Sequence, residues 1–128
     1  MSSTAPSKTA LWLGWFLSVL AALPFVMSAG MKFSGSDTVV QGMGHFGWNA
    51  PMIPVLAILE AGSVLLYLAP PVAVLGGIVL TGYLGGAIAT HLRIGEAVWM
   101  HLVIGLFIWG GLYLRHPRLR ELIPYRRA

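Results

Sequence analysis

Residues 51–92 read PMIPVLAILEAGSVLLYLAPPVAVLGGIVLTGYLGGAIATHL, and their only charged side chain is Glu60. A run of about 20 apolar residues is long enough to cross a bilayer as a helix. Pro70 and Pro71 interrupt the stretch, and their fixed φ angles favour a tight reversal between two such helices. This part of the chain therefore predicts a helical hairpin inside a membrane.

Two more apolar segments flank the hairpin, and neither residues 10–31 nor residues 97–114 contain a charged side chain. The predicted fold class is all-α, an integral membrane four-helix bundle with antiparallel helices. We expect residues 1–128 to form a single domain with spans at residues 10–31, 51–69, 72–92 and 97–114 and a basic tail at residues 115–128.

The composition of the 128 residues agrees with a membrane protein, since 57% are hydrophobic and only 9% are charged. A soluble domain carries about 25% charged residues. The chain has no cysteine, which excludes disulfides, thiolate metal sites, iron–sulfur clusters and thiol-relay chemistry within it. Any electron chemistry would depend on a partner.

Basic residues predict the orientation in the membrane. Lys8 and the tail, with Arg115, Arg118, Arg120, Arg126 and Arg127, lie on one side of the four predicted spans, and only Lys32 and Arg93 lie on the other. Cytoplasmic loops carry the Lys/Arg excess, so both termini are predicted to be cytoplasmic. We interpret the tail as an orientation signal rather than a nucleic-acid footprint. Cleavage of the first span as a signal peptide is the alternative, but the span exceeds the usual length of about 7 to 15 apolar residues.

The connection at residues 32–50 mixes glycines with apolar side chains. It is expected to fold back against the bundle or lie in the interface, where it could cap a pocket. In the third span, two rows of small residues predict close helix packing, and they contain Gly82 and Gly86 in one row and Gly77 and Gly85 in the other. Trp48 and Trp99 are interpreted as interfacial anchors, with a ligand-binding pair as the alternative.

Glu60 is the most informative residue, because the predicted second span places it near the middle of the bilayer. A bare carboxylate is very unfavourable there, so Glu60 is expected to be protonated, paired or next to a wet cavity. The structural alternative is a neutral carboxyl that hydrogen-bonds to a Ser, Thr or Trp of another helix.

Other polar residues fall toward the outer half of the predicted bundle. Helical periodicity places Tyr83 on the same face as His91, and His101 lies about one turn into the fourth span. Together with Lys32 and Arg93, they could converge with Glu60 on one pocket, or they could lie at the interface and extend to lipid headgroups. Axial haem ligation by the two histidines and metal binding with Glu60 are weaker alternatives, and no metal site is predicted.

Several segments together resemble the DoxX-like family of small four-helix bacterial inner-membrane proteins. They are SAGMKF at residues 28–33, GHFGW at 44–48, LEAG at 59–62, LLYLAP at 65–70, TGYLGGA at 81–87 and THLR at 90–93. The resemblance covers about residues 10–115. It implies a multi-pass location in the bacterial inner membrane.

The resemblance also implies an association with quinone-linked oxidation and with soluble redox enzymes. The recurring polar positions of the family correspond here to Lys32, Glu60, His91 and Arg93. His101 is included because of its spacing, and Tyr83 because of helical periodicity. The predicted ligand-binding residues are Lys32, Glu60, Tyr83, His91, Arg93 and His101, and the catalytic candidates are Glu60, His91 and His101.

Four functions fit these features. The first is a redox-associated subunit that binds a quinone in an outer-leaflet pocket and exchanges electrons with a partner protein. The second is an intramembrane acid–base enzyme, such as an isomerase of a lipid-soluble substrate. The others are a proton-linked carrier and a scaffold whose basic tail binds a partner or anionic lipid. The expected partner in every case is the lipid bilayer, no intrinsic cofactor and no nucleic acid are expected, and self-association into a homo-oligomer is left open.

Overall fold

The computed structural model describes residues 5–125, which form five α-helices and no β-strand. The helices are α1 (Lys8–Ser34), α2 (Asp37–His45), α3 (Ile53–Leu68), α4 (Ala73–Arg93) and α5 (Trp99–Arg115). Short 3-10 turns occur at Ala50–Met52, Pro70–Val72 and Pro117–Glu121. The all-α prediction is confirmed. Arg126 and Arg127 of the predicted basic tail lie outside the described residues.

The fifth helix, α2, lies in the connection where only a folded-back or interfacial segment was expected. α1 ends because Gly35 adopts a left-handed conformation, with φ of 63°, which glycine adopts without steric cost. The hydroxyl of Ser36 then accepts a hydrogen bond from the backbone N–H of Val39 at 3.4 Å. Asp37 in the first turn of α2 interacts favourably with the positive end of the helix dipole.

Three helical segments are long and apolar enough to cross a membrane. They are Lys8–Ser34, Ala50–Leu68 and Pro70–Arg93. α5 is a shorter apolar helix of 17 residues, or about 26 Å at 1.5 Å per residue. These helices are compatible with a membrane helical bundle, and the chain is an integral membrane protein.

The long helices pack around one core and turn apolar side chains outward. α1 contacts α3 and α5, and α4 contacts the same two helices. The core contains Phe25, Val64, Tyr67, Leu80, Leu84, Ile108 and Leu112. Large apolar residues such as Trp12, Leu65 and Leu106 are exposed on the outside, as expected for a surface that lipid covers.

A polar cluster joins three helices at one end of the bundle. The hydroxyl of Tyr67 donates to the carbonyl oxygen of Ile108 at 2.8 Å and lies 3.0 Å from Oγ of Ser18. The buried guanidinium of Arg115 lies over the Trp15 ring, 4.1 Å from its centroid, and donates to the Tyr67 carbonyl oxygen at 3.4 Å. We call Ser18, Tyr67, Ile108 and Arg115 the Tyr67 cluster.

Glycines allow close helix contacts near this cluster. A Cβ at Gly76 would overlap the backbone of Tyr67, and a Cβ at Gly77 would meet the Leu112 side chain at 2.5 Å. The prediction of close packing along both small-residue rows of α4 is wrong beyond Gly77. Positions Gly82, Gly85 and Gly86 are exposed and have no heavy atom within 4 Å of an added Cβ. The glycines of α4 that make close contacts with other helices, Gly76 and Gly77, lie at the end that contains the Tyr67 cluster.

Candidate functional site

At the opposite end of the bundle, the helices enclose a cavity of about 450 Å³. All five helices and the α2–α3 connection contribute to its lining. The predicted site residues that line it are Lys32, Glu60, Tyr83, His91 and His101. The structure thus brings five of the six predicted ligand-binding residues together.

A buried ion pair forms the polar centre of this cavity. Nζ of Lys32 on α1 lies 2.7 Å from Oε2 of Glu60 on α3, and the two residues are 9% and 2% exposed. The Ser28 hydroxyl donates to the same carboxylate oxygen at 3.2 Å and accepts a hydrogen bond from the Lys32 ammonium. Of the states expected for Glu60, the structure has the paired one. We call Ser28, Lys32 and Glu60 the polar triad.

Tyr83 on α4 faces the triad from the other side of the cavity. Tyr83 and Glu60 line the same cavity. The Tyr83 ring packs edge-on against Phe25 of α1, with centroids 6.3 Å apart and planes at 72°, a favourable geometry for aromatic pairs.

Two histidines pack against each other in the wall of the cavity. The ring centroids of His91 and His101 are 4.3 Å apart. Nδ1 of His91 donates to the carbonyl oxygen of Ala87 at 2.7 Å, so the free nitrogen of the neutral ring is Nε2. Nδ1 of His101 is buried without a hydrogen-bond partner among residues 5–125. The two rings leave no space for a porphyrin between them, and the axial haem ligation considered above does not fit this arrangement.

The end of α2 and the connection to α3 contribute apolar side chains to the cavity wall. Met43, Phe46 and Trp48 line the cavity, and the Phe46 ring lies 4.6 Å from that of His91. We call the segment from Met43 to Trp48 the cap. The sequence predicted that this connection could cover a pocket, and Phe46 and Trp48 of the connection line the cavity. Trp99 is exposed and does not line the cavity, so it forms no ligand pair with Trp48.

Arg93 is the predicted site residue that lies outside the main cavity. Its guanidinium donates to the carbonyl oxygen of Phe46 and so fastens the cap to the end of α4. It also lines a smaller hollow of about 220 Å³, which shares Trp48 and Thr90 with the main cavity. Gly47 is required here, because a side chain at that position would meet the Arg93 guanidinium, and its φ is 89°.

Acidic and basic groups continue from the cavity to the surface. The carboxylate of Glu96 lies 4.0 Å from Nε2 of His91 and 3.9 Å from Nε2 of His45. Glu96 and His45 are exposed. Within residues 5–125, no group of three or more His, Asp or Glu side chains is arranged to hold a metal ion.

The model of the DoxX-like family matches residues 16–111 of the chain. The chain belongs to the DoxX-like family. No curated protein and no solved structure gives a significant match to it. The matched region of this DoxX-like protein contains the polar triad, Tyr83, both cavity histidines and Arg93.

The DoxX-like chain also uses residues that sequence reasoning did not assign to the site. Ser28 entered the sequence analysis only as part of the SAGMKF segment, although its hydroxyl bridges the ion pair. Phe46 and Met43 were not singled out within the connection at residues 32–50. The SxxxK spacing could have indicated Ser28, because residues four apart face the same side of a helix. The contact between Phe46 and His91 had no comparable signal.

Proposed function

We propose that this DoxX-like protein binds a quinone, or a similar lipid-soluble molecule with hydrogen-bonding oxygens, and serves as a membrane subunit of a redox system. The observation that supports this most is the polar triad, which faces a largely apolar cavity within the bundle. Small-molecule sites are commonly apolar cavities with a few polar groups that orient the ligand. The volume of about 450 Å³ suits the head of a quinone and the first part of its tail.

The triad has hydrogen-bonding capacity left for such a ligand. An ammonium group has three N–H donors, and Lys32 uses two of them for Glu60 and Ser28. The third can donate to a quinone carbonyl oxygen. Both of the carboxylate contacts use Oε2 of Glu60, which leaves Oε1 for Tyr83 or for the hydroxyl of a hydroquinone.

Stability alone is a poor reason to bury this ion pair. The desolvation of two charges often costs as much as their attraction returns, and apolar side chains of similar volume are often as stable or more so. Intramembrane ionisable residues are uncommon and usually belong to ligand, ion or proton sites. The position of the triad at a cavity wall supports a ligand-binding role over a packing role.

We further propose that α1, α3, α4 and α5 cross the bacterial inner membrane as an antiparallel four-helix bundle, with both termini in the cytoplasm. Lys8 and the arginines after α5 then lie on the cytoplasmic side. The cavity lies in the outer half of the bilayer, with the cap and Glu96 at its outer surface. Electrons would be exchanged with a partner protein, because the chain has no cysteine for a redox centre of its own.

Ligand-dependent stability tests the proposal directly. The protein is placed in lipid nanodiscs, and its unfolding temperature is measured with increasing decyl-ubiquinone. We expect wild type to be stabilised because binding to the folded state raises its unfolding free energy, by about 2.7 kcal/mol at 100 times Kd. Glu60→Gln should abolish this effect. The matched control Glu96→Gln should retain it, since Glu96 does not line the cavity.

Two results would contradict the proposal. One is a wild type that decyl-ubiquinone does not stabilise, or that dodecane stabilises equally, since an alkane can fill the cavity but cannot hydrogen-bond. The other is a folded Glu60→Gln variant that responds like wild type. If Glu60→Gln does not fold, the double variant K32M/E60L takes its place, because it removes both charges of the pair.

An acid–base reaction on a lipid-soluble substrate is the second candidate. The bond from His91 to Ala87 leaves Nε2 of the neutral ring free to accept a proton, as a general base must. Glu60 and His101 line the same cavity, so they could take part in proton transfer. Turnover of a substrate by the purified protein without any electron acceptor would favour this function over the redox role.

A further inference from the structure

The cavity has exposed residues in its lining, and they lie along the helices rather than at the cap. Pro24 of α1 and Gly86 of α4 both line the cavity and are exposed. Gly86 is seven residues before the end of α4 at Arg93, a distance of about 10 Å along the helix. The cavity therefore reaches the surface of the bundle within the apolar length of its helices.

The surface around this opening is apolar. Next to Pro24, the side chains of Leu23, Val26 and Met27 are exposed. On α4, Ala89 lies beside Gly86 and is exposed as well. In the proposed membrane orientation, lipid chains rather than water cover this part of the bundle.

The outer end of the cavity is held more firmly. Arg93 binds the backbone of the cap at Phe46, and the Phe46 ring packs on His91. A ligand that arrived from water would have to displace these contacts and cross the charged surface at Glu96. A ligand that arrived from lipid would meet apolar side chains, Gly86, and Thr90, whose hydroxyl already donates to the carbonyl oxygen of Gly86 at 2.8 Å.

We infer that the ligand moves between the cavity and the outer leaflet through a lateral opening bordered by Gly86. This inference rests on the proposed function and narrows it to molecules that dissolve in lipid. The absence of a side chain at Gly86 leaves the opening free, since no heavy atom lies within 4 Å of the position of its missing Cβ. A larger residue there would obstruct the opening without overlapping a neighbouring helix.

The chain provides a matched control one turn earlier on the same helix. Gly82 is exposed and also has no heavy atom within 4 Å of an added Cβ, but it does not line the cavity. The same substitution at Gly82 and Gly86 thus changes helix propensity and lipid contact alike. Only the change at Gly86 alters the opening.

The association rate of decyl-ubiquinone tests the inference. The probe is mixed with the full-length protein in nanodiscs, and binding is followed by quenching of tryptophan fluorescence, for which Trp48 lies in the cavity wall. We expect Gly86→Val to slow association by about tenfold, which corresponds to an activation free energy higher by about 1.4 kcal/mol. Gly82→Val should leave the rate unchanged.

Equal association rates in the two folded valine variants would overturn the inference. So would an unchanged rate in Gly86→Val together with faster association in Phe46→Ala, because that result would place the route at the cap. If Gly86→Val does not fold, Gly86→Ala must slow association more than Gly82→Ala, or the inference fails. Failure of the proposed function is recognised separately, since wild type would then show no saturable binding at all.

Discussion

The polar triad consists of three buried or partly buried side chains from α1 and α3 that interact with one another. Lys32 and Glu60 neutralise each other at 2.7 Å, and Ser28 hydrogen-bonds to both. Neither charge is tolerable alone at this depth, because an unpaired buried ion loses its hydration without compensation. The two residues should therefore behave as a unit in mutational experiments.

A double-mutant cycle tests this coupling. Lys32→Met alone should lower the unfolding free energy by about 3–5 kcal/mol, because it leaves the Glu60 carboxylate buried and unpaired. The double variant K32M/E60L should recover most or all of that loss, since two apolar side chains replace the pair. Denaturant unfolding in nanodiscs measures the four free energies. If the loss of unfolding free energy in the double variant equals the sum of the losses in Lys32→Met and Glu60→Leu, the pair is not coupled.

At this scale, the sequence identifies the important residue but not its surroundings. Glu60 was conspicuous as the only charge in residues 51–92, and the cost of burying a carboxylate predicted a partner, a proton or a cavity. The sequence could not identify Lys32 as the partner, because the offset of α1 relative to α3 along the bundle depends on side-chain packing along both helices. Nor could it exclude Arg93 from the cavity, since the bond to Phe46 depends on the path of the cap.

At the level of the elements, the two halves of α4 differ in how closely they pack against other helices. Near its start, Gly76 lies against the backbone of Tyr67 on α3, so the two helices are in direct contact. Farther along, Gly82, Gly85 and Gly86 are exposed. Glycines of the same helix thus serve close packing at one end and an open surface at the other.

An alanine at each end distinguishes the two roles. Gly76→Ala should destabilise the protein by about 1–3 kcal/mol, because its Cβ would force α3 and α4 apart. Gly82→Ala should leave stability unchanged or raise it slightly, since alanine favours the helical backbone and meets no neighbour. Thermal unfolding of both variants in the same lipid measures the difference. Equal stability of the two variants would contradict the role assigned to Gly76.

Helix positions were largely predictable from sequence, and helix contacts were not. The predicted spans 10–31 and 72–92 lie within or beside α1 and α4 because charges and prolines mark their ends. α2 was missed because its residues include two glycines and it has no buried face. The glycine rows of α4 misled the prediction, since a small residue permits a close contact but does not specify which helix makes it.

The molecule as a whole has one closed end and one hollow end. The Tyr67 cluster joins α1, α3 and α5 where glycines allow close contact, while the cavity and its cap occupy the other end. Basic residues follow the same division. Arg115, Arg118 and Arg120 belong to the closed end, whereas at the hollow end Lys32 is neutralised by Glu60, and Arg93 is bound to the cap.

Reporter fusions test the proposed orientation. A green fluorescent protein fused after the last residue should fluoresce, because the C-terminus is predicted to be cytoplasmic. Alkaline phosphatase inserted at Gly95, in the exposed turn between α4 and α5, should be active because it folds only outside the cytoplasm. The reverse pattern would place the cavity in the inner leaflet. Activity of both reporters at the C-terminus would indicate mixed insertion.

α4 packs closely against α3 at Gly76 and is exposed at Gly86, and this difference determines which part of the helix can move. Gly76, in contact with α3, and Gly86, at the opening, are ten residues apart on α4, or about 15 Å. If α4 pivots at Gly76, a tilt of a few degrees moves Gly86 by about 1 Å, because the two residues are about 15 Å apart. The contact of Gly76 with the Tyr67 backbone would then be the pivot, and the displacement of α4 would be largest near the lateral opening, where a ligand would pass.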